Sequence, residues 1–369
     1  MQKEVISDRQ GITTMALFIM GSTLILGVGS DAKQDAWLAV ITGIAFAIPI
    51  LAVYARILAL FPGKNLYQLL DYIFGKVFGR IIALCFIWYA FHLGSMVLRN
   101  FQEFIKVVSF PETPEFVPIM LMGILCIWVA KEGIEVLGRF SQLIIIILAL
   151  IILAVVALGT KDVNFDNLRP FLYNGVKPVI NGAFNTFSYP FAETVLFMAV
   201  FNFSKERNHP FKVYYYALAL GSFFVLLITI RNILILGADF IDQVYFPSYA
   251  AVSLVNIGDF LQRIEVTVSV VLLFAGFVKI SICLLAAGRG VDYLFKAGNY
   301  RQLVAPVGLL MMVTSCFIYQ NIMEMMKFAF KVYRYYAFPF QVILPVIIWI
   351  GAEIKARKAK ISTKKSARD

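Results

Sequence analysis

Ser188-Tyr189-Pro190-Phe191-Ala192-Glu193 interrupts an apolar stretch that runs from about Val176 to Phe203. Proline has no backbone N–H and frees a carbonyl one turn earlier. A carboxylate at the centre of a membrane-length helix costs several kcal/mol, about 2.5–3.5 on insertion scales. Such a segment persists only where protein or a water-filled cavity surrounds the opened backbone. In helical membrane proteins, broken helices of this kind line ligand sites. The stretch therefore predicts an interrupted helix inside a bundle, with Glu193 facing inward.

The rest of the chain supplies the bundle. Of 369 residues, 60% are hydrophobic, and the mean hydropathy is +0.81. Apolar runs of about 20 residues recur, so the fold class is an all-α polytopic membrane protein. A β-barrel would show short alternating segments. The net charge of +11 is not a nucleic-acid footprint. Much of it lies in a tail with Lys355, Arg357, Lys358, Lys360, Lys364, Lys365 and Arg368, which reads as a cytoplasmic anchor on anionic lipid. Cys85, Cys126, Cys283 and Cys316 lie in apolar runs without metal-like spacing and read as buried thiols. No cleavable signal peptide is expected, because the first apolar run continues to membrane-spanning length.

About ten spans are predicted, near 11–31, 36–60, 79–105, 115–131, 137–159, 176–203, 211–238, 262–288, 303–320 and 336–354. Lys and Arg concentrate in connections on the N-terminal side, including Lys3, Arg9, Arg56, Lys205, Arg207 and the tail. That asymmetry predicts that both termini are cytoplasmic. Lys327, Lys331 and Arg334 fall on the other side, on one helical face, and are expected on an interfacial helix with Met325, Met326, Phe328 and Phe330. Apolar 247–260 is too short to span and is expected to form a hairpin lying over an external vestibule.

The first span carries Gly21-Ser22-Thr23 and then Gly27-Val28-Gly29, which weaken a helix as the sixth span's proline does. The spans then divide into about five plus five, each set opening on a broken helix, as an inverted repeat requires. The predicted units are 1–160, 161–354 and the basic tail 355–369.

Two breaks meeting at mid-membrane would hold a small zwitterion. Amides at Ser22, Thr23 and Leu24, beside Gly21, would face a carboxylate. Carbonyls near Ser188 and Tyr189 would take an ammonium, with Tyr189 and Phe191 along the pocket. Glu193 reads as a gate, a proton-titrating group or a carboxylate that braces the opened first helix. Lys279 would either stand where a sodium ion would bridge spans one and eight, or snorkel to the cytoplasmic interface. Arg99 and Glu103, four apart, share a helical face and should pair. Arg231 is expected to pair with an acid such as Glu265. Arg99, Glu103 and Arg231 are also gating or ion-site candidates. His92 reads as a packed residue. No HExxH, phosphate loop, nucleophile elbow or cysteine–histidine cluster is present, so neither an enzyme nor a metal or cofactor site is expected.

Several stretches carry a resemblance: Lys33-Gln34-Asp35-Ala36-Trp37, Leu98-Arg99-Asn100-Phe101-Gln102-Glu103-Phe104-Ile105, and Pro111-Glu112-Thr113-Pro114. Asn167-Leu168-Arg169-Pro170, the Glu193 segment and Ile230-Arg231-Asn232-Ile233 follow in order. The chain resembles the spore germination permease family, the GerAB-type B subunits of nutrient germinant receptors. The resemblance implies the amino acid–polyamine–organocation fold and a place in the inner membrane of a bacterial spore. It further implies A and C subunits as partners and a small germinant, often an amino acid, as ligand. It puts the broken first helix at Gly21–Thr23 and the sixth-helix acid at Glu193. A proline common after the first break in relatives is replaced here by Val28-Gly29. A proton-coupled amino-acid transporter is the alternative reading.

Overall fold

The computed structural model describes residues 4, 6–202, 209–241, 243–254 and 264–366, with the side chains of 162 and 359–366 left aside. Lys3, Lys205, Arg207, Arg368 and positions 255–260 of the expected vestibule cover lie outside the described residues. Among the described residues every regular element is helical.

The first span is α1 (Asp8–Met20) and α2 (Thr23–Leu26). It starts with a capping box in which Ser7 and Gln10 satisfy each other's backbone N–H groups. α3 (Ala36–Leu60) returns. α4 (Leu66–Val108) follows, capped by Asn65 and Gln68 and kinked at Gly75, whose φ of 78° favours glycine. α5 (Phe116–Glu132) and α6 (Ile134–Leu158) follow.

The interrupted segment comprises α7 (Val176–Thr186), a π-turn at Phe187–Phe191, a tight turn at Ala192–Leu196 and α8 (Phe197–Val200). α9 (Pro210–Leu236) leads to two short helices, α10 (Ala238–Ile241) and α11 (Pro247–Ser253). α12 (Val266–Phe295) and α13 (Tyr300–Phe317) come next. The last stretch is α14 (Ile322–Lys327), α15 (Tyr333–Phe338) and α16 (Leu344–Ser366), joined by π-turns.

Eight described helices are long and apolar enough to cross a membrane. α5, with 17 residues, and the interrupted 176–200 segment are the two remaining predicted spans. α1 and α12 are the most enclosed, while α3, α6, α13 and the last helix are the least. Leu121, Ile124, Ile146, Leu150, Leu309 and Leu310 remain exposed on the outer helices. That apolar band is what a lipid-facing surface requires.

Packing brings the two broken segments to the centre. α12 lies against α4, α1 against α9, and α3 against α7. A Cβ on Gly43 would stand 3.0 Å from the Ala183 carbonyl and from Thr186 Cβ, a tight contact that glycine avoids where α3 and α7 approach.

One expectation is corrected. The segment around Lys327, Lys331 and Arg334 is not a separate interfacial helix, for 322–358 runs as one long apolar helical stretch. Arg334 turns inward because Asp31 (3.6 Å) and the Asn181 carbonyl (3.3 Å) receive its guanidinium. The described part of the vestibule cover is the helix α11, seated against α2 and α9.

The resemblance stretches lock together on the face opposite the N-terminus. Asp35 accepts the Leu172 N–H at 3.0 and 3.1 Å, and Gln34 donates to the Pro170 carbonyl at 3.1 Å. On the N-terminal face, Arg289 meets Glu4 at 2.5 Å and donates to the Val200 carbonyl. Tyr300 donates to Glu4 at 2.6 Å.

Candidate functional site

The first break turns at Gly21, with φ 16° and ψ −129°. A Cβ there would stand 2.6 Å from Lys279 Cδ and 2.9 Å from the Phe18 carbonyl. The Ser22 hydroxyl lies 2.8 Å from the Tyr189 hydroxyl, so the two breaks touch. Leu24 offers its carbonyl to the Ser248 hydroxyl. Gly27, with φ 75°, ends α2.

The second break follows from Pro190. A residue before proline is pushed out of helical geometry, and Tyr189 is extended, with φ −132° and ψ 106°. Gln341 caps the opened backbone by donating to the Ser188 carbonyl at 2.7 Å and accepting from the Ser188 hydroxyl at 2.9 Å. Tyr54 donates to the Gln341 carbonyl at 2.5 Å and the Ala192 carbonyl at 3.3 Å.

Glu193 and Lys279 are both fully buried and pair at 2.5 Å. Lys279 does not snorkel, since its ammonium is fixed at mid-helix between α1 and the second break. It lies 4.8 Å from the Tyr189 ring centre and 5.1 Å from that of Phe18. The other Glu193 oxygen accepts from Tyr333 at 2.5 Å. Tyr333 and Tyr89 hydroxyls are 2.9 Å apart, and Gln341 donates to Tyr89 at 2.8 Å. One polar chain thus runs from α12 through the second break to the last helix. A buried pair is held better when its remaining hydrogen-bonding capacity is filled; Tyr333 supplies the second Glu193 oxygen, and the rings of Tyr189 and Phe18 stand beside the ammonium.

A small cavity of about 30 Å³ adjoins the pair, lined in part by Leu26, Tyr189, Glu193, Phe328, Ala329 and Tyr333. Roughly 10–15 Å³ suffices for one water, so this space admits water but no amino acid in the present conformation. Phe191 is fully buried in the core.

The other candidates lie apart. Arg99 and Glu103 pair at 2.6 Å, and Arg99 also reaches Glu115 (3.2 Å) and the Cys316 carbonyl (3.4 Å). Arg231 donates to Asn232 at 2.6 Å and the Ser248 carbonyl at 3.2 Å, which supply the acceptors expected of Glu265. His92 packs among Trp88, Phe328 and Tyr336.

Sequence reading missed Tyr333, Tyr89, Gln341 and Tyr54. Each is an ordinary residue in an apolar helix, and their convergence depends on packing between distant spans. The one signal available was Gln341, a lone amide in the last apolar run.

Two helices broken side by side, with a buried ion pair at the breaks, define a membrane protein with a transporter-type fold. MhsT in complex with L-phenylalanine superposes with a TM-score of 0.64 at 14% identity, covering 95% of this chain and 89% of that one. Mhp1, a nucleobase-cation-symport-1 family transporter, superposes with a TM-score of 0.63 at 13% identity, covering 98% and 93%. The profile of the family described as spore germination protein matches residues 5–324, and the chain belongs to that family. It is 30% identical to spore germination protein KB of Bacillus subtilis (strain 168), with both chains fully covered. It is 25% identical to spore germination protein A2 of the same organism over 96% of each chain.

Proposed function

We propose that this protein is the membrane subunit of a spore nutrient germinant receptor. It binds a small germinant, an amino acid, between the two helix breaks and signals to A and C subunits. The observation that carries the reading is the contact of both breaks around Glu193–Lys279, closed by Tyr333 and Gln341. A ligand that enters must displace this polar chain, so its binding favours a second arrangement of the bundle. A signal follows only when the ligand's affinity differs between the two arrangements. Gly21, Ser22, Thr23 and Leu24 form one wall of the opened site, with Ser188, Tyr189, Phe191 and Glu193 opposite. Arg99, Glu103 and Arg231 would brace the moving ends. The halves 1–160 and 161–354 act as the two repeats, and the tail 355–369 holds the cytoplasmic face of the spore inner membrane. Lys279 supplies a fixed positive charge, so ligand affinity should be the same in sodium and potassium.

One observation favours a second reading, a proton-coupled amino-acid transporter. Glu193 and Lys279 are titratable groups buried beside the breaks. The two readings separate in vesicles holding the purified protein alone, given labelled L-phenylalanine, the ligand solved with MhsT, and a pH gradient. A sensor binds without accumulating it; gradient-driven accumulation makes the protein a transporter. In spores, Glu193→Gln should abolish the nutrient response while the protein remains inserted. A normal response would remove Glu193 from the mechanism.

A further inference from the structure

Three cavities lie in series on the side opposite the N-terminus. A shallow basin of about 630 Å³ shares Lys33 and Ala238 with a deeper cavity of about 230 Å³. That cavity shares Leu26 with the small space beside Glu193. The dividing wall is Leu26 with the 325–330 segment. Met326 and Phe330 face the larger cavity, and Met325 and Phe328 face the smaller. A π-turn begins at Phe328, and such turns recur at functional sites.

We infer that the 230 Å³ cavity is a second, outer binding site for a small α-amino acid with an apolar side chain. It goes beyond the central site proposed above, because a ligand can occupy it while the breaks stay closed. Its size is near the lower edge of small-ligand pockets, roughly 300 Å³. Tyr245, Pro247, Phe330 and Leu26 give it apolar walls. At its mouth Lys33 lines both spaces, and its exposed ion-pair partner Asp239, 3.8 Å away, lines the outer basin. A zwitterion at the mouth replaces that pair, its carboxylate on Lys33 and its ammonium on Asp239. Lys33 has a φ of 52°, a conformation that costs a non-glycine residue energy and clusters at ligand sites. The outer site touches the first break through Leu26, and Ser248 bonds to Leu24, so occupancy would bear directly on α2.

The test is equilibrium binding of L-leucine, L-leucinamide and 4-methylpentanoate to the purified full chain. Ala238→Trp fills the mouth, and Ala238→Met serves if the larger side chain lowers the unfolding temperature. Ala329→Trp fills the central space instead. The outer-site component of L-leucine binding should be the same in wild type and the Ala329→Trp variant, and about tenfold weaker in the Ala238 variants, about 1.4 kcal/mol. Lys33→Gln should weaken L-leucine and leave L-leucinamide unchanged. Asp239→Asn should weaken L-leucine and leave 4-methylpentanoate unchanged. Binding lost in Ala329→Trp but intact in the Ala238 variants overturns the outer site and leaves the central one standing. No L-leucine binding to folded wild type at millimolar concentration also overturns it, while the spore response of Glu193→Gln still judges the central reading.

Discussion

Gly21 and Lys279 touch: a Cβ on the glycine would stand 2.6 Å from the lysine Cδ. The first helix opens where the lysine of α12 must pass to reach Glu193. Valine at position 21 should therefore push the ammonium off its partner. Gly21→Val is expected to unfold at lower temperature than wild type, and Gly21→Val with Lys279→Ala should regain part of the loss. A Gly21→Val protein as stable as wild type would mean that the contact is slack.

Removing one member of the Glu193–Lys279 pair strands a buried charge. Lys279→Met and Glu193→Gln should each cost about 3–5 kcal/mol, and the double variant less than the sum. A double-mutant cycle by thermal unfolding in one detergent measures the coupling. Additive losses would show that the pair is not a unit.

Tyr333→Phe removes the hydroxyl shared by Glu193 and Tyr89. A hydrogen bond to a charged group contributes about 1.5–3 kcal/mol. The variant should lose that much stability and loosen the last helix, seen as faster amide exchange across 328–343. Unchanged exchange there would detach Tyr333 from the closure.

At the α4–α5 corner, Lys106 hydrogen-bonds Glu115, and with Arg99 nearby it holds that carboxyl below its usual range. A carboxylate with a depressed folded pKa stabilises above its unfolded value and loses that contribution as pH falls through the folded one. Protection of the 109–116 amides, their exchange measured against the intrinsic rate at each pH, should therefore fall below about pH 4. Glu115→Gln should make that protection independent of pH across this range; a loss of protection that survives the substitution would place its origin elsewhere.

Both breaks were legible because Pro190 and Gly21 act on the backbone locally, whatever surrounds them. The Arg99–Glu103 pair was legible because i,i+4 spacing on one helix fixes proximity. Arg334 was misplaced because its partner Asp31 lies about 300 positions away in the chain, beyond any local pattern. The closure by Tyr333, Gln341 and Tyr54 escaped for the same reason. A tyrosine in an apolar run looks like filler until a distant helix supplies its acceptor. The Glu193–Lys279 contact lay between these cases. Each residue stood out as a charge in hydrocarbon, and only packing joined them.

Amide exchange across 17–26 and 185–196, with and without a saturating amino acid, tests the central claim most directly. Ligand should change exchange at both breaks in wild type and at neither in Gly21→Val. Ligand-dependent change confined to other segments, with both breaks unaltered in wild type, would contradict it.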